Sequence, residues 1–148
     1  MSLIASDDIT LMIPVKTDEK DVVTEYRLVY MHNGRMESIP SSQMTEMGLT
    51  DTSGVNLYYI FKCGRVTDNS GNILRYINWK QYEKLDDVEK LKYWSLNDIN
   101  CIIIRGKATV SPDISLNKLS LDYNVYTIRN IGEQYRCGKI HHIEAVGV

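Results

Sequence analysis

The chain is short of most features that mark a specialised protein. Its 148 residues hold three cysteines, Cys63, Cys101 and Cys137, an odd and scattered set that excludes a disulfide framework. Three buried free thiols in a reducing compartment are the expected state. No apolar run approaches the roughly 20 residues that span a bilayer; among the longest is Cys-Ile-Ile-Ile at 101–104. The opening residues, Met-Ser-Leu-Ile-Ala-Ser-Asp-Asp, have neither the basic nor the apolar region of a signal peptide. A soluble, intracellular protein without a membrane partner is expected.

Charge of one sign is also missing. The formal net charge is −2, with 15 acids and 11 bases over residues 1–100 and 4 acids and 6 bases over 101–148. A nucleic-acid binder concentrates basic residues on one face, so specific nucleic-acid binding is not expected. There is no GxGxxG, no Walker A sequence, no GxSxG and no CxxC. No cofactor, no resident metal and no catalytic set are therefore expected.

What is abundant is tyrosine: ten Tyr and two Trp stand against a single Phe. Tyrosine has an apolar body and a polar tip, which suits half-buried strands and protein interfaces. Strand patterns run through residues 9–15, 22–32, 55–66, 73–77, 99–110, 119–131 and 134–146. Asn33-Gly34 predicts a hairpin turn, because both central residues of a type I′ turn need positive φ. Asp68-Asn-Ser-Gly-Asn72 predicts a second hairpin, and Gly132 divides the last two strands.

One region reads as helical. Trp79, Tyr82, Leu85, Val88, Leu91 and Trp94 recur every three residues, a spacing that drifts around an α-helix. Asn78 with Gln81 and Asp86 with Glu89 each fit a cap with an acceptor three residues on, so two short helices broken near Asp86-Asp87 are expected. The fold class is mainly β, a small β-barrel or sandwich in one domain over 1–148, with a short helical insertion around 79–94. An extended N-terminal arm over 1–11 and long loops at 40–54 and 111–124 complete the expected plan.

Two constellations invite a chemical reading. His141-His142 with Glu144 and Cys137 carries zinc-ligand chemistry, but consecutive strand side chains leave on opposite faces, so the two imidazoles are not expected to share a metal. A Cys137–His142 nucleophile pair has only Arg136 and Lys139 nearby to lower the thiol. The binding signals are Met31, Met36, Met44 and Met47 within and beside the first loop, where thioethers make an adaptable apolar surface. Pro112, Leu116 and Tyr123 in the second loop join them as candidate interface residues.

The C-terminal half has a recognisable order. Gly106-Lys-Ala-Thr-Val-Ser-Pro-Asp113, then Leu121-Asp-Tyr-Asn-Val-Tyr-Thr-Ile128, then Gly138-Lys-Ile-His-His-Ile-Glu144 resembles the closing half of tailed-bacteriophage head-closure (stopper) and head–tail joining proteins. Arg65-Val-Thr-Asp-Asn-Ser-Gly-Asn72 is similar to the hairpin that precedes barrel closure in them. The resemblance implies a non-enzymatic virion subunit, a ring-forming neck component between portal and tail, whose partners are copies of itself and neighbouring virion proteins. Two readings stand beside it: a monomeric β-barrel that binds a peptide or ligand in a groove lined by Tyr58, Tyr59 and Tyr76, and a viral hydrolase using Cys137 or His142.

Overall fold

The apolar run at 101–104 is explained by a strand buried on both of its faces. The computed structural model describes residues 7–39 and 54–148. Within them lie β1 (Asp7–Thr17), β2 (Val23–Ile39), β3 (Gly54–Ile60), β4 (Arg65–Thr67), β5 (Ile73–Tyr76), β6 (Tyr93–Trp94), β7 (Ile102–Arg105), β8 (Val125–Arg136) and β9 (Lys139–Gly147). Three short helices are α1 (Trp79–Glu83), α2 (Asp87–Lys90) and α3 (Leu116–Asp122).

The strands run in the order β1-β7-β8-β9-β3-β2, and β1 also pairs with β2, so these six close into an antiparallel barrel. Closure gives each of these strands a neighbour on both sides along part of its length, while the stretch of β2 around Leu28 has a strand partner only in β1. β4, β5 and β6 branch from β2, with β5 and β6 parallel.

Alternation along the strands sorts the apolar residues into two cores. Ile9, Leu11, Ile13, Val29, Met31, Leu57 and Ile103 fill the barrel with Trp94, Ile128 and Ile143. The opposite faces of β1, β2 and β7 bear Met12, Tyr26, Leu28, Tyr30, Ile102 and Ile104, and these are covered by Ala108 and Leu119. A strand with both faces covered has no polar alternation, hence the unbroken Ile102-Ile103-Ile104.

Several expectations are corrected. Asn33-Gly34 makes no hairpin; β2 runs through it, pairing with β1 along its first part and with β3 from Arg35 to Ile39. Asn33 has φ 62°, which turns the strand at a barrel corner. A Cβ on Gly34 would lie 2.7 Å from the Ile9 and Met31 side chains, so the glycine serves close packing. The last hairpin turns at Cys137-Gly138, with φ 52° and 77°, while Gly132 sits within β8. The strand expected at 99–110 is only Ile102–Arg105, because Asn97 folds the chain before it. Its Oδ1 accepts from the N–H groups of Ile99, Asn100 and Cys101.

The expected loop at 111–124 contains α3, started by the Ser115 hydroxyl accepting from Lys118 N–H at 3.3 Å. The following strand begins at Val125 and not at 119, because Leu119 packs as a helical residue. Residues 7–11 of the expected arm are strand, with Ile9 and Leu11 buried. Residues 1–6 and 40–53 lie outside the described residues.

The insertion at 79–94 forms the two short helices that its spacing predicts. Asn78 Oδ1 accepts from Gln81 N–H at 3.0 Å and Asp86 Oδ1 from Glu89 N–H at 2.8 Å, each satisfying a helix-start donor. Tyr82 and Trp94 turn inward, whereas Val88 and Leu91 remain exposed.

Candidate interaction surfaces

The segment after β7 is strapped over the outside of the barrel by buried polar contacts. Gly106 has φ 94° and turns the chain out of the sheet. The fully buried Thr10 hydroxyl then donates to Gly106 O at 2.8 Å and accepts from Ala108 N–H at 2.9 Å. Tyr30 donates its hydroxyl to Ala108 O at 3.0 Å, and Tyr26 N–H donates to Pro112 O at 2.8 Å. Buried polar groups are costly unless paired, so these bonds specify where the strap lies.

Between the strap and the Asp68–Ser70 turn is an open groove of about 590 Å³, lined by Tyr26, Leu28, Tyr30, Val110 and Pro112 with Leu91 at its margin. Tyr26 N–H faces away from β1, and Tyr30 pairs with Thr67 of β4 on that same side. Backbone groups alternate along an antiparallel strand, so the intervening Leu28 turns its N–H and C=O toward the groove.

The helical insertion is fastened by Arg27 of β2. Its guanidinium donates to Lys90 O at 2.8 Å, Tyr93 O at 2.7 Å and Leu91 O at 3.0 Å. The Lys90 and Leu91 carbonyls end α2, where unpaired acceptors and the helix dipole both favour a cation, and the Tyr93 carbonyl belongs to β6. The clamp leaves Val88 and Leu91 pointing to solvent, and Ile73 and Ile99 beside the insertion are about as exposed.

Of the tyrosines expected to line a groove, Tyr59 is buried and Tyr76 half-buried. Both join Phe61 and Trp94 in an aromatic cluster in which each tyrosine meets Trp94 edge-to-face, with Tyr59–Trp94 centroids 5.4 Å apart and Tyr76–Trp94 centroids 4.8 Å apart. Burial pushes the Tyr59 phenol up to about 12, and it raises Tyr76, whose hydroxyl donates to Glu133 Oε2 at 2.7 Å. Tyr58 is half-buried on β3.

The two adjacent histidines meet, which strand alternation alone does not predict. Gln134 pairs with His142 but Tyr135 pairs with Ile140, so His141 is an extra residue in β9, a β-bulge. The bulge swings the rings together: Nδ1 of His141 is 2.9 Å from Nδ1 of His142, and His142 Nε2 lies 3.3 Å from Glu144 Oε1. Partial burial, then Arg136, His142 and Lys62, hold His141 below the usual imidazole range. The partners of His142 are thus an imidazole and a carboxylate. Of the three thiols expected to be buried only Cys101 is; Cys63 and Cys137 are exposed, because they lie in the turns that follow β3 and β8. Among the described residues no group of three or more His, Cys, Asp and Glu side chains converges on a metal position.

The candidate interface residues fall in different places. Met31 and Met36 are buried, Met36 only 6% exposed, and both pack in the barrel core. Met44 and Met47 lie outside the described residues. Pro112 and Leu116 are exposed, and Tyr123 packs at the edge of the outer core. Leu121, 82% exposed on α3, and the group Ile73, Val88, Leu91 and Ile99 are exposed apolar residues that strand alternation does not mark. The mismatch between three-residue spacing and the helix period at 79–94 was the one available signal for Val88 and Leu91.

No helix among the described residues is long and apolar enough to cross a membrane. Comparison with known proteins finds no matching family model and no significant match among curated proteins or solved structures.

Proposed function

We propose that this chain is a non-enzymatic structural subunit of a viral particle, acting through protein–protein contacts as a component of the head–tail neck of a tailed phage. The observation that carries the reading is where the exposed apolar side chains sit. Leu116 and Leu121 on α3, and Ile73, Val88, Leu91 and Ile99 around the helical insertion, all stand on appendages to the closed barrel. Val15, Ile60 and Tyr135 are exposed on the barrel strands themselves, but the large apolar side chains that are 60% or more exposed all stand on the appendages, which suits a protein whose surface is completed by neighbours. The order of motifs from Gly106 to Glu144 supplies the further step to a neck component.

The deciding experiment is sedimentation of the purified chain over a concentration series, beside Leu121→Asp and Val88→Asp variants. Self-association that either variant abolishes, with the chain recovered in virus particles, is the expected result. A strict monomer at every concentration, absent from particles, overturns the reading.

A second reading is favoured by the uncovered backbone of Leu28 in the groove. An extended peptide lying there would gain main-chain hydrogen bonds at a gap in the pairing of β2. It calls for a monomer that binds peptide, and the same sedimentation series separates it from the first.

A further inference from the structure

We infer that the outer face of β2 and β4, beside the strap, is a binding site for a small phosphate monoester, whose charge is taken by Arg65 and Lys107. The strand register brings the residues together. Met31 and Val66 pack in the barrel core, so Tyr30 and His32 on β2, and Arg65 and Thr67 on β4, carry their side chains on the opposite, outer face. His32 stands opposite Arg65, and Tyr30 opposite Thr67.

The strap adds a third wall. Ala108 is buried and bonded to Thr10 and Tyr30, and Lys107 and Thr109 on either side of it are exposed. Lys107 Nζ lies 5.5 Å from the centre of the Tyr30 ring. The result is a concavity of about 460 Å³ to which His32, Arg65, Thr67, Asn69, Lys107 and Thr109 all contribute. Its size falls within the roughly 300–1,000 Å³ of small-molecule sites.

The charges here are not spent within the chain. Among the described residues neither Arg65 nor Lys107 forms an ion pair. The Asp68 carboxylate also lines the wall, but it accepts from the N–H groups of Ser70 and Asn72 at 2.9 Å each and from Asn72 Nδ2 at 3.1 Å, inside its own turn. Asp8 faces His32 Nδ1 at 3.9 Å, while the other ring nitrogen meets the Thr67 hydroxyl at 2.9 Å. Two unpaired cations on one concave wall favour an anion.

The donors select among anions. A guanidinium from β4, an ammonium from the strap and hydroxyls from both border one space. A carboxylate offers two oxygens, whereas a phosphate monoester offers three and up to about two charges, enough to answer all of these donors together. Its fourth oxygen carries the organic group. The concavity shares Tyr30, Asp68, Asn69 and Thr109 with the 590 Å³ groove, whose far wall is Tyr26, Leu28, Val110 and Pro112. An apolar or aromatic group fits that wall, so the ligand class is an apolar ester of phosphate.

The test titrates the full-length chain with phenyl phosphate, inorganic phosphate and acetate, followed by ¹H–¹⁵N amide shifts. Ionic strength is held constant because salt screens exposed charges. Phenyl phosphate should give saturable shifts at Thr67, Asn69, Lys107 and Thr109, with Leu28 and Val110 moving as well, and acetate should give none. Arg65→Gln and Lys107→Gln should each weaken binding by about tenfold, the scale of one charge-assisted contact, with the barrel amides unmoved. Lys139→Gln on β9 should leave the affinity unchanged. Should Arg65→Gln not fold, Lys107→Gln on the exposed strap decides. Equal affinity for inorganic phosphate, with Leu28 and Val110 unmoved, overturns the ester. Shifts that do not saturate, that acetate reproduces, or that survive both substitutions overturn the site.

Discussion

Arg27 Nη1 donates to the carbonyl of Tyr93 at 2.7 Å, joining the second strand of the barrel to the end of an insertion 66 residues further along the chain. The same guanidinium holds Lys90 and Leu91, so one side chain satisfies three carbonyls. Arg27→Met keeps most of the stem and removes these bonds, which should cost about 2 kcal/mol, the scale of a charged hydrogen-bond donor. Chemical denaturation reads the loss, and faster amide exchange confined to 79–94 would locate it.

Thr10→Val tests the strap. The substitution keeps the shape of the side chain but leaves Ala108 N–H and Gly106 O without the hydroxyl that joins them to β1. A stability loss of about 1–3 kcal/mol is expected, the cost of an unpaired buried donor. Unchanged stability together with a protected Ala108 amide would show that the strap does not depend on Thr10.

The thiols should divide two to one. Cys63 and Cys137 are exposed and should alkylate in the native protein, whereas the buried Cys101 should react only on unfolding. Mass spectrometry after a short alkylation pulse counts them.

Cys101 also sets an alkaline limit. Burial pushes its thiol from an ordinary value of 9.0 up to about 12, so the unfolded chain loses this proton first. The thiol's contribution is complete below pH 9 and is lost as pH rises from 9 toward 12, with a slope of about 1 kcal/mol per pH unit. Denaturation at pH 8, 9 and 9.5, below the range where the raised phenols of Tyr59 and Tyr76 add their own loss, should show that decline, and Cys101→Ala should reduce it.

Cys137→Asn should stabilise the protein. Cys137 has φ 52° and precedes Gly138 at φ 77°, the arrangement an Asn-Gly turn adopts with least strain. A gain of up to about 1 kcal/mol is expected from relieving a left-handed residue that is neither Asn nor Gly. A lower melting temperature for the variant would contradict this.

Fold class and the helical insertion were legible in the sequence because their signals are local. Alternation marks a strand whatever it pairs with, and Asn78 and Asp86 cap helices with their own side chains. The surfaces were harder to read. Met36 has the chemistry of an interface residue yet fills the core, because the pairing of Arg35–Ile39 with β3 points it inward. Leu121 looked like strand and is an exposed helical residue.

By itself, then, the sequence determined a β protein with two short capped helices at 79–94 and free thiols, since turn preference, cap chemistry and residue periodicity act over a few residues. Only the tertiary structure decided that Asn33-Gly34 is a corner while Cys137-Gly138 is the hairpin. It also decided that 106–123 covers a second core and that a one-residue bulge brings His141 and His142 together. Each of these depends on which distant strand lies alongside, and that is settled by barrel closure and by the burial of Met12, Leu28 and Ile104 beneath Leu119.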